Sequence, residues 1–179
     1  MIVGLTGKSC SGKNYVAKSL KALGFTVWDL DREAAKIRNS MKDEVLKQLG
    51  TYDARELREL VFQNPEKLHV LEKIIYPVLQ KKILCYRYDL VINGATLHRS
   101  GFDTLCKFVI YVDAPYEERL KRAKKRDRIT EKEFALREAS QQDIDFRAVK
   151  YRCPVHVLDN TSGFTPEDLD RALTFRGLL

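Results

Sequence analysis

An α/β fold on a five-stranded parallel sheet, with helices on both faces, is the class this sequence predicts. Three observations carry the prediction. Five short apolar runs alternate with stretches of helical period. The first two runs flank a single helical stretch, a strand–helix–strand unit, so the sheet is expected to be parallel there. Four of the five runs are continuously apolar, as strands buried on both faces are.

The elements follow in order. Ile2-Val3-Gly4-Leu5-Thr6 is the first strand, and a glycine-flanked loop follows it. Val16, Leu20 and Leu23 then fall at i, i+4 and i+7, one face of a helix that Gly24 stops. Residues 25–28 form the second strand, which ends in Asp29-Leu30-Asp31. Residues 32–50 read as helix. Asp53 caps the next one, with Leu57, Leu60 and Val61 on its apolar face. Asn64-Pro65 opens another, in which Leu68, Leu71, Ile75, Val78 and Leu79 keep helical period. Pro77 interrupts that pattern and is expected to kink or divide the helix. Residues 32–86 therefore form a helical block between two strands, the kind of insert that binds substrate in α/β proteins. Residues 89–92, 107–112 and 155–158 supply the remaining strands. Pro115 begins a helix rich in basic residues, and Thr130 with Glu133 makes a capping box for the next. Thr165-Pro166 opens a last helix with Leu169, Ala172 and Leu173 as its apolar residues.

The 179 residues suit a single domain, 1–179, with a lid spanning about 115–150. No apolar run approaches the ~20 residues a membrane span needs, so no membrane association is expected. The first residues read as a strand rather than a signal peptide, and the four widely spaced cysteines as reduced thiols. Both point to a cytoplasmic protein. The 32 Lys and Arg exceed the 25 Asp and Glu, a net of +7, which favours anionic partners. Nucleic acid is not expected, because the basic run at 119–128 carries no interleaved aromatics for base stacking.

The chemistry concentrates in Gly7-Lys8-Ser9-Cys10-Ser11-Gly12-Lys13-Asn14. The pattern G-x-x-x-x-G-K between a strand and a helix is a phosphate-binding loop. Backbone N–H groups wrap phosphate oxygens, the helix N-terminus adds a favourable dipole, and Lys13 brings a positive charge. The expected ligand is ATP with Mg²⁺. The position after Lys13 ordinarily supplies a hydroxyl to the metal; Asn14 offers an amide oxygen instead. Asp29 and Asp31 alternate after the second strand, so on extended backbone they point the same way. Either carboxylate fits a base for a substrate hydroxyl or a Mg²⁺ ligand through water, and a helix cap explains one of the pair. In the basic helix and its surroundings, Arg122, Arg126, Arg137 and Arg147 are candidates to neutralise a transferring phosphoryl group. His98 lies in a polar loop at the same rim.

With these residues in hand, nearly the whole chain resembles the dephospho-coenzyme A kinase family. The likeness lies in Leu5 to Lys13, in Val27-Trp28-Asp29-Leu30-Asp31, and in Leu57 to Phe62 with Asn64-Pro65-Glu66-Lys67-Leu68. It continues in Tyr76-Pro77, the stretch from Arg119 to Asp127, and Leu158-Asp159-Asn160. The resemblance implies a P-loop nucleoside-monophosphate-kinase-like fold with a lid and a helical substrate insert. It implies transfer of the ATP γ-phosphate to the ribose 3′-hydroxyl of dephospho-coenzyme A, the last step of coenzyme A synthesis, with Asp31 as base. The chain departs from the family at Asn14, at Lys8 where Gly is usual, and at Tyr76 where His is usual. It departs also at Ala54 in place of Arg, across Ala95-Thr96-Leu97-His98-Arg99, and in a short 38–53 stretch. Two other readings stay open at this point: a related small-molecule kinase with another acceptor, and a nucleotide-binding protein without turnover.

Overall fold

The protein is described by a computed structural model covering residues 1–174, with side chains through Arg171. The chain divides into two compact units, one of Met1–Trp28 with the chain from Tyr88 onward, the other of Asp29–Arg87.

The first unit carries the sheet, β1 (Ile2–Thr6), β2 (Thr26–Asp29), β3 (Leu90–Asn93), β4 (Phe108–Asp113) and β5 (Val155–Asp159), in the order β2-β3-β1-β4-β5. β1 pairs in parallel with both β3 and β4, and β4 with β5. The central strands β1, β3 and β4 are almost wholly buried, whereas β2 and β5 are mixed, which is what edge positions impose. Because β1 lies between β3 and β4, the loop after it opens at the carboxyl rim where the strand order reverses, the usual ligand position in such sheets.

Helix α1 (Lys13–Ala22) covers one face. Its Val16 and Leu20 are fully buried against Val3, Leu5, Val91 and Ile110, each contributing about 1.5–3 kcal/mol. Leu23, expected on the same stripe, instead caps the helix and is exposed, because the chain leaves helical geometry there and Gly24 takes a positive φ. On the opposite face Gly4 lies against Leu97, Val109 and Cys106, where an added Cβ would fall 2.6 Å from Leu97 Cδ2. Tyr111 packs there on Phe146. Two further helices, α6 (Tyr116–Asp127) and α7 (Glu131–Ala139), follow β4, and α8 (Pro166–Thr174) follows β5. The capping box expected at Thr130 and Glu133 is present. On α8 Leu169 is buried; the side chains of Ala172 and Leu173 lie outside the described residues.

The second unit is helical: α2 (Leu30–Ser40), α3 (Lys42–Leu49), α4 (Ala54–Gln63) and α5 (Pro65–Leu84). Residues 32–50 are two helices rather than one. They part at Met41, where Asn39-Ser40 are weak helix formers and Ser40 Oγ donates to Ile37 O at 2.8 Å. Pro77 neither divides nor ends α5, which runs unbroken from Pro65 to Leu84. Pro77 is exposed, so the carbonyl one turn back that loses its N–H partner is left to solvent. Val45, Leu49 and Leu57 form a small core with Leu60, Val70, Leu71 and Ile74 packed around it.

Candidate active site

The phosphate loop is shaped by residues that accept no substitute. Gly7 has φ 143° and Gly12 φ 110°. A Cβ on Gly7 would sit 2.3 Å from Val112 O, and one on Gly12 would sit 2.1 Å from Asn160 Nδ2. Cys10, buried inside the loop, also holds a positive φ of 62°, which costs a non-glycine residue about 1–2 kcal/mol. Gly12 is the N-cap of α1; it offers no side-chain cap, and the first turn carries no acid. The orphan N–H groups of that turn and its positive dipole end are therefore directed at the loop without a competing carboxylate. Lys13 Nζ folds back onto Gly7 O at 2.6 Å and Lys8 O at 3.0 Å, so its ammonium hangs over the loop.

Ser9, Cys10, Gly12, Lys13, Asn14, Arg122 and Arg126 line one cavity. Seven residues expected at the phosphates thus share a single opening. Arg122 braces the loop from behind: Nη2 donates to Asn160 O at 2.6 Å, and Nη1 lies 3.4 Å from both Cys10 O and Ser11 O. Arg126 reaches Cys10 Sγ at 3.3 Å and pairs with Asp127. Asp127 also takes Arg137 at 2.7 Å, and the two guanidiniums hold its carboxyl far below the usual range. Arg147 is placed elsewhere in this unit, paired with Asp113 and 3.6 Å from Asp145.

A second cavity adjoins the first through Gly12 and Arg122. Tyr15, Asn160, Gly163 and Phe164 complete its wall. Tyr15 and Phe164 meet edge to face at 5.1 Å, giving the cavity an aromatic side. Asn160 ties the two openings together, its Nδ2 donating to Ser11 O at 2.6 Å and its N–H to Asp113 O at 2.8 Å. Sequence reasoning named Asn160 only as a strand end and missed Tyr15 and Phe164. The available signal was one aromatic two residues past the loop lysine and another just after the last strand.

The β3–β4 connection, whose residues 95–99 depart from the family pattern, is fixed by buried charge. Asp103 is fully buried and receives the Arg152 N–H at 3.0 Å, the Arg152 guanidinium at 2.8 Å and His98 Nδ1 at 2.9 Å. Burial alone would raise its pKa; these hydrogen bonds outweigh burial and hold it below the ordinary carboxylate value. His98 thus serves Asp103 and stacks near Tyr151, while Arg99 lies 3.7 Å from Asp143.

In the helical unit, Asp29 is the N-cap of α2 and its Oδ1 accepts from Arg32 N at 2.9 Å. Asp31 lies in the first helical turn and is exposed. The expected parallel display of the two carboxylates does not hold, because helix starts at Leu30 and ends the two-residue alternation. Glu33, two residues on, is buried between Lys36 and Lys82. Burial pushes its pKa up, but the two ammonium groups prevail and lower it.

Besides Asp29, two amide oxygens are candidates to meet Mg²⁺. Asn14 lines the loop cavity. Asn93 Oδ1, at the carboxyl end of β3 beside β1, is buried without a hydrogen-bond partner. No group of three or more His, Cys, Asp or Glu could hold a metal among the described residues. This set fits an ion held mainly by phosphate oxygens and water, as Mg²⁺ commonly is.

The comparisons with known proteins agree with this geometry. The family model described as dephospho-CoA kinase matches residues 1–165. The chain belongs to the dephospho-CoA kinase family. A dephospho-CoA kinase from Thermus thermophilus is 35% identical over 185 residues, covering 97% of this chain and 88% of that one. A crystal structure from Thermus thermophilus superposes with a TM-score of 0.77 at 32% identity, covering 98% of this chain and 95% of the other. The dephospho-CoA kinase of Campylobacter jejuni, at 24% identity and a TM-score of 0.62 over 98% and 95% of the two chains, shares the fold. The chain is thus a P-loop kinase, as its α/β sheet and nucleotide loop predicted. No helix among the described residues is long and apolar enough to cross a membrane.

Proposed function

We propose that this chain transfers the γ-phosphoryl group of ATP to the ribose 3′-hydroxyl of dephospho-coenzyme A. The observation that carries the reading is a family match that spans the phosphate loop, the helical unit and the lid together. The loop and Lys13 bind the donor phosphates, and the cavity walled by Tyr15 and Phe164 accepts the adenine of ATP. Asp31 takes the proton of the attacking hydroxyl as its oxygen bonds to the γ-phosphorus. The bond from phosphorus to the bridging oxygen breaks, and ADP leaves with that electron pair. Lys13 stabilises the charge that grows on the β- and γ-phosphate oxygens, and Arg126 and Arg137 reach the same oxygens from the lid. Phosphoryl transfer asks the protein for position and charge more than for covalent chemistry, which suits a site of backbone donors and cations. Asn14 and Asn93 would hold Mg²⁺, and the ion would neutralise phosphate charge there.

Product analysis tests the assignment. Purified protein with ATP, Mg²⁺ and dephospho-coenzyme A is expected to yield a product heavier by one phosphoryl group, with a phosphorus resonance coupled to the ribose 3′ proton. A phosphate on any other oxygen, or unchanged acceptor, would overturn it.

A further inference from the structure

Lys8 is not part of the residue pattern that defines a phosphate loop, and its side chain is absent from the residues lining the loop cavity. Its ammonium is held instead by Glu138 Oε1 at 2.8 Å and Asp145 Oδ2 at 2.9 Å, with its side chain only 11% exposed. Both acids belong to the lid region, Glu138 in the last turn of α7 and Asp145 just beyond it. Glu138 also takes both terminal nitrogens of buried Arg119, at 2.6 and 2.9 Å. Asp145 also faces Arg147, which continues to Asp113 at the end of β4. The result is one alternating chain of charge, Arg119–Glu138–Lys8–Asp145–Arg147–Asp113, with Lys8 in its middle. Burial pulls the Lys8 pKa down, but its two carboxylate partners prevail and raise it, so the link stays charged.

A second set of contacts joins the same two segments. Ser9 N donates to Gln141 Oε1 at 2.8 Å, and Arg137 Nη1 donates to Ser9 Oγ at 3.2 Å. Consecutive loop residues are therefore held by residues 137–145, and one of the holding groups is a lid arginine bonded to Ser9, which lines the phosphate cavity.

We infer that Lys8 is a positioning residue that docks residues 137–145 onto the phosphate loop through protein contacts alone and so sets Arg137 beside the donor phosphates. The ordering of the lid segment is then met within the protein rather than drawn from nucleotide binding energy. Without the ammonium, Asp145 keeps the Arg147 N–H at 2.9 Å and the Arg147 guanidinium at 3.6 Å, both within its own segment, and its direct ion pair to the loop is gone.

The inference rests on ATP as donor and is independent of the acceptor, so the test omits dephospho-coenzyme A. Two readouts are taken on Lys8→Met, Asp145→Asn, their double variant and Lys8→Arg. One is hydrogen exchange of residues 131–147 in nucleotide-free protein. The other is calorimetric affinity for the non-hydrolysable analogue AMP-PNP with Mg²⁺. Lys8→Met is expected to speed exchange across 131–147 and to weaken AMP-PNP binding about ten-fold, since a site competent only part of the time loses affinity in that proportion. Asp145→Asn is expected to do the same, the double variant to lose no more than either single, and Lys8→Arg to recover most of the protection. Unchanged exchange in both single variants, or losses that add in the double, would overturn the inference. A wild type that fails to bind AMP-PNP would refute the donor assignment, while the exchange data would still judge Lys8.

Discussion

The two units of this molecule secure their functional residues by opposite means. In the sheet unit the phosphate loop is fixed by close backbone approach and buried polar ties: Gly7 against Val112, Gly12 against Asn160, and Arg122 across three carbonyls. In the helical unit the polar side chains of interest stand on helix ends. Asp29 caps α2, Asp53 caps α4, and Asn64 caps α5 with bonds to Glu66 N at 3.0 Å and Lys67 N at 3.2 Å. The donor side thus depends on residues that cannot change size. The helical side depends on residues that can be exchanged at modest cost.

Substitutions in matched pairs probe that contrast. Lys13→Ala is expected to have the largest effect, lowering kcat by about 10²–10³ because it removes a cation aimed at the developing phosphate charge. Steady-state kinetics would show it, with circular dichroism confirming an intact fold. Its counterpart in the helical unit, Asp31→Asn, is expected to lower kcat by about 10²-fold through loss of a base, while AMP-PNP affinity stays at the wild-type value. Equal losses of donor affinity in both variants would erase the division between the units.

For stability the same contrast holds. Gly12→Ala adds a methyl that meets Asn160 at 2.1 Å on backbone of positive φ, and thermal unfolding is expected to show a loss of about 1–3 kcal/mol. Asn64→Ala removes one cap from α5 and is expected to cost about 1 kcal/mol. A cap loss as large as the glycine loss would show that the helical unit is no more tolerant than the loop.

Legibility in the sequence followed the same line. The phosphate loop could be read because its chemistry resides in glycines and a lysine at fixed spacing within a few residues. The sheet could be read because central strands must be apolar on both faces. Leu23, Met41 and Pro77 were harder, since helix ends and breaks turn on local competition, such as Ser40 Oγ bonding Ile37 O, that periodicity does not encode. The aromatic cavity needed Tyr15 and Phe164, which lie far apart in the chain and meet only through the fold. Lys8 looked like a departure from the family pattern; its partners are more than a hundred residues away.

The central claim is that this kinase acts on dephospho-coenzyme A, and acceptor-dependent ADP release tests it most directly. Release is measured with ATP and Mg²⁺ against dephospho-coenzyme A and a panel of other hydroxylated acceptors, including nucleosides and sugars. Stimulation by dephospho-coenzyme A well above every other acceptor is the predicted result. No stimulation over background ATPase, or a faster rate with another acceptor, would contradict it.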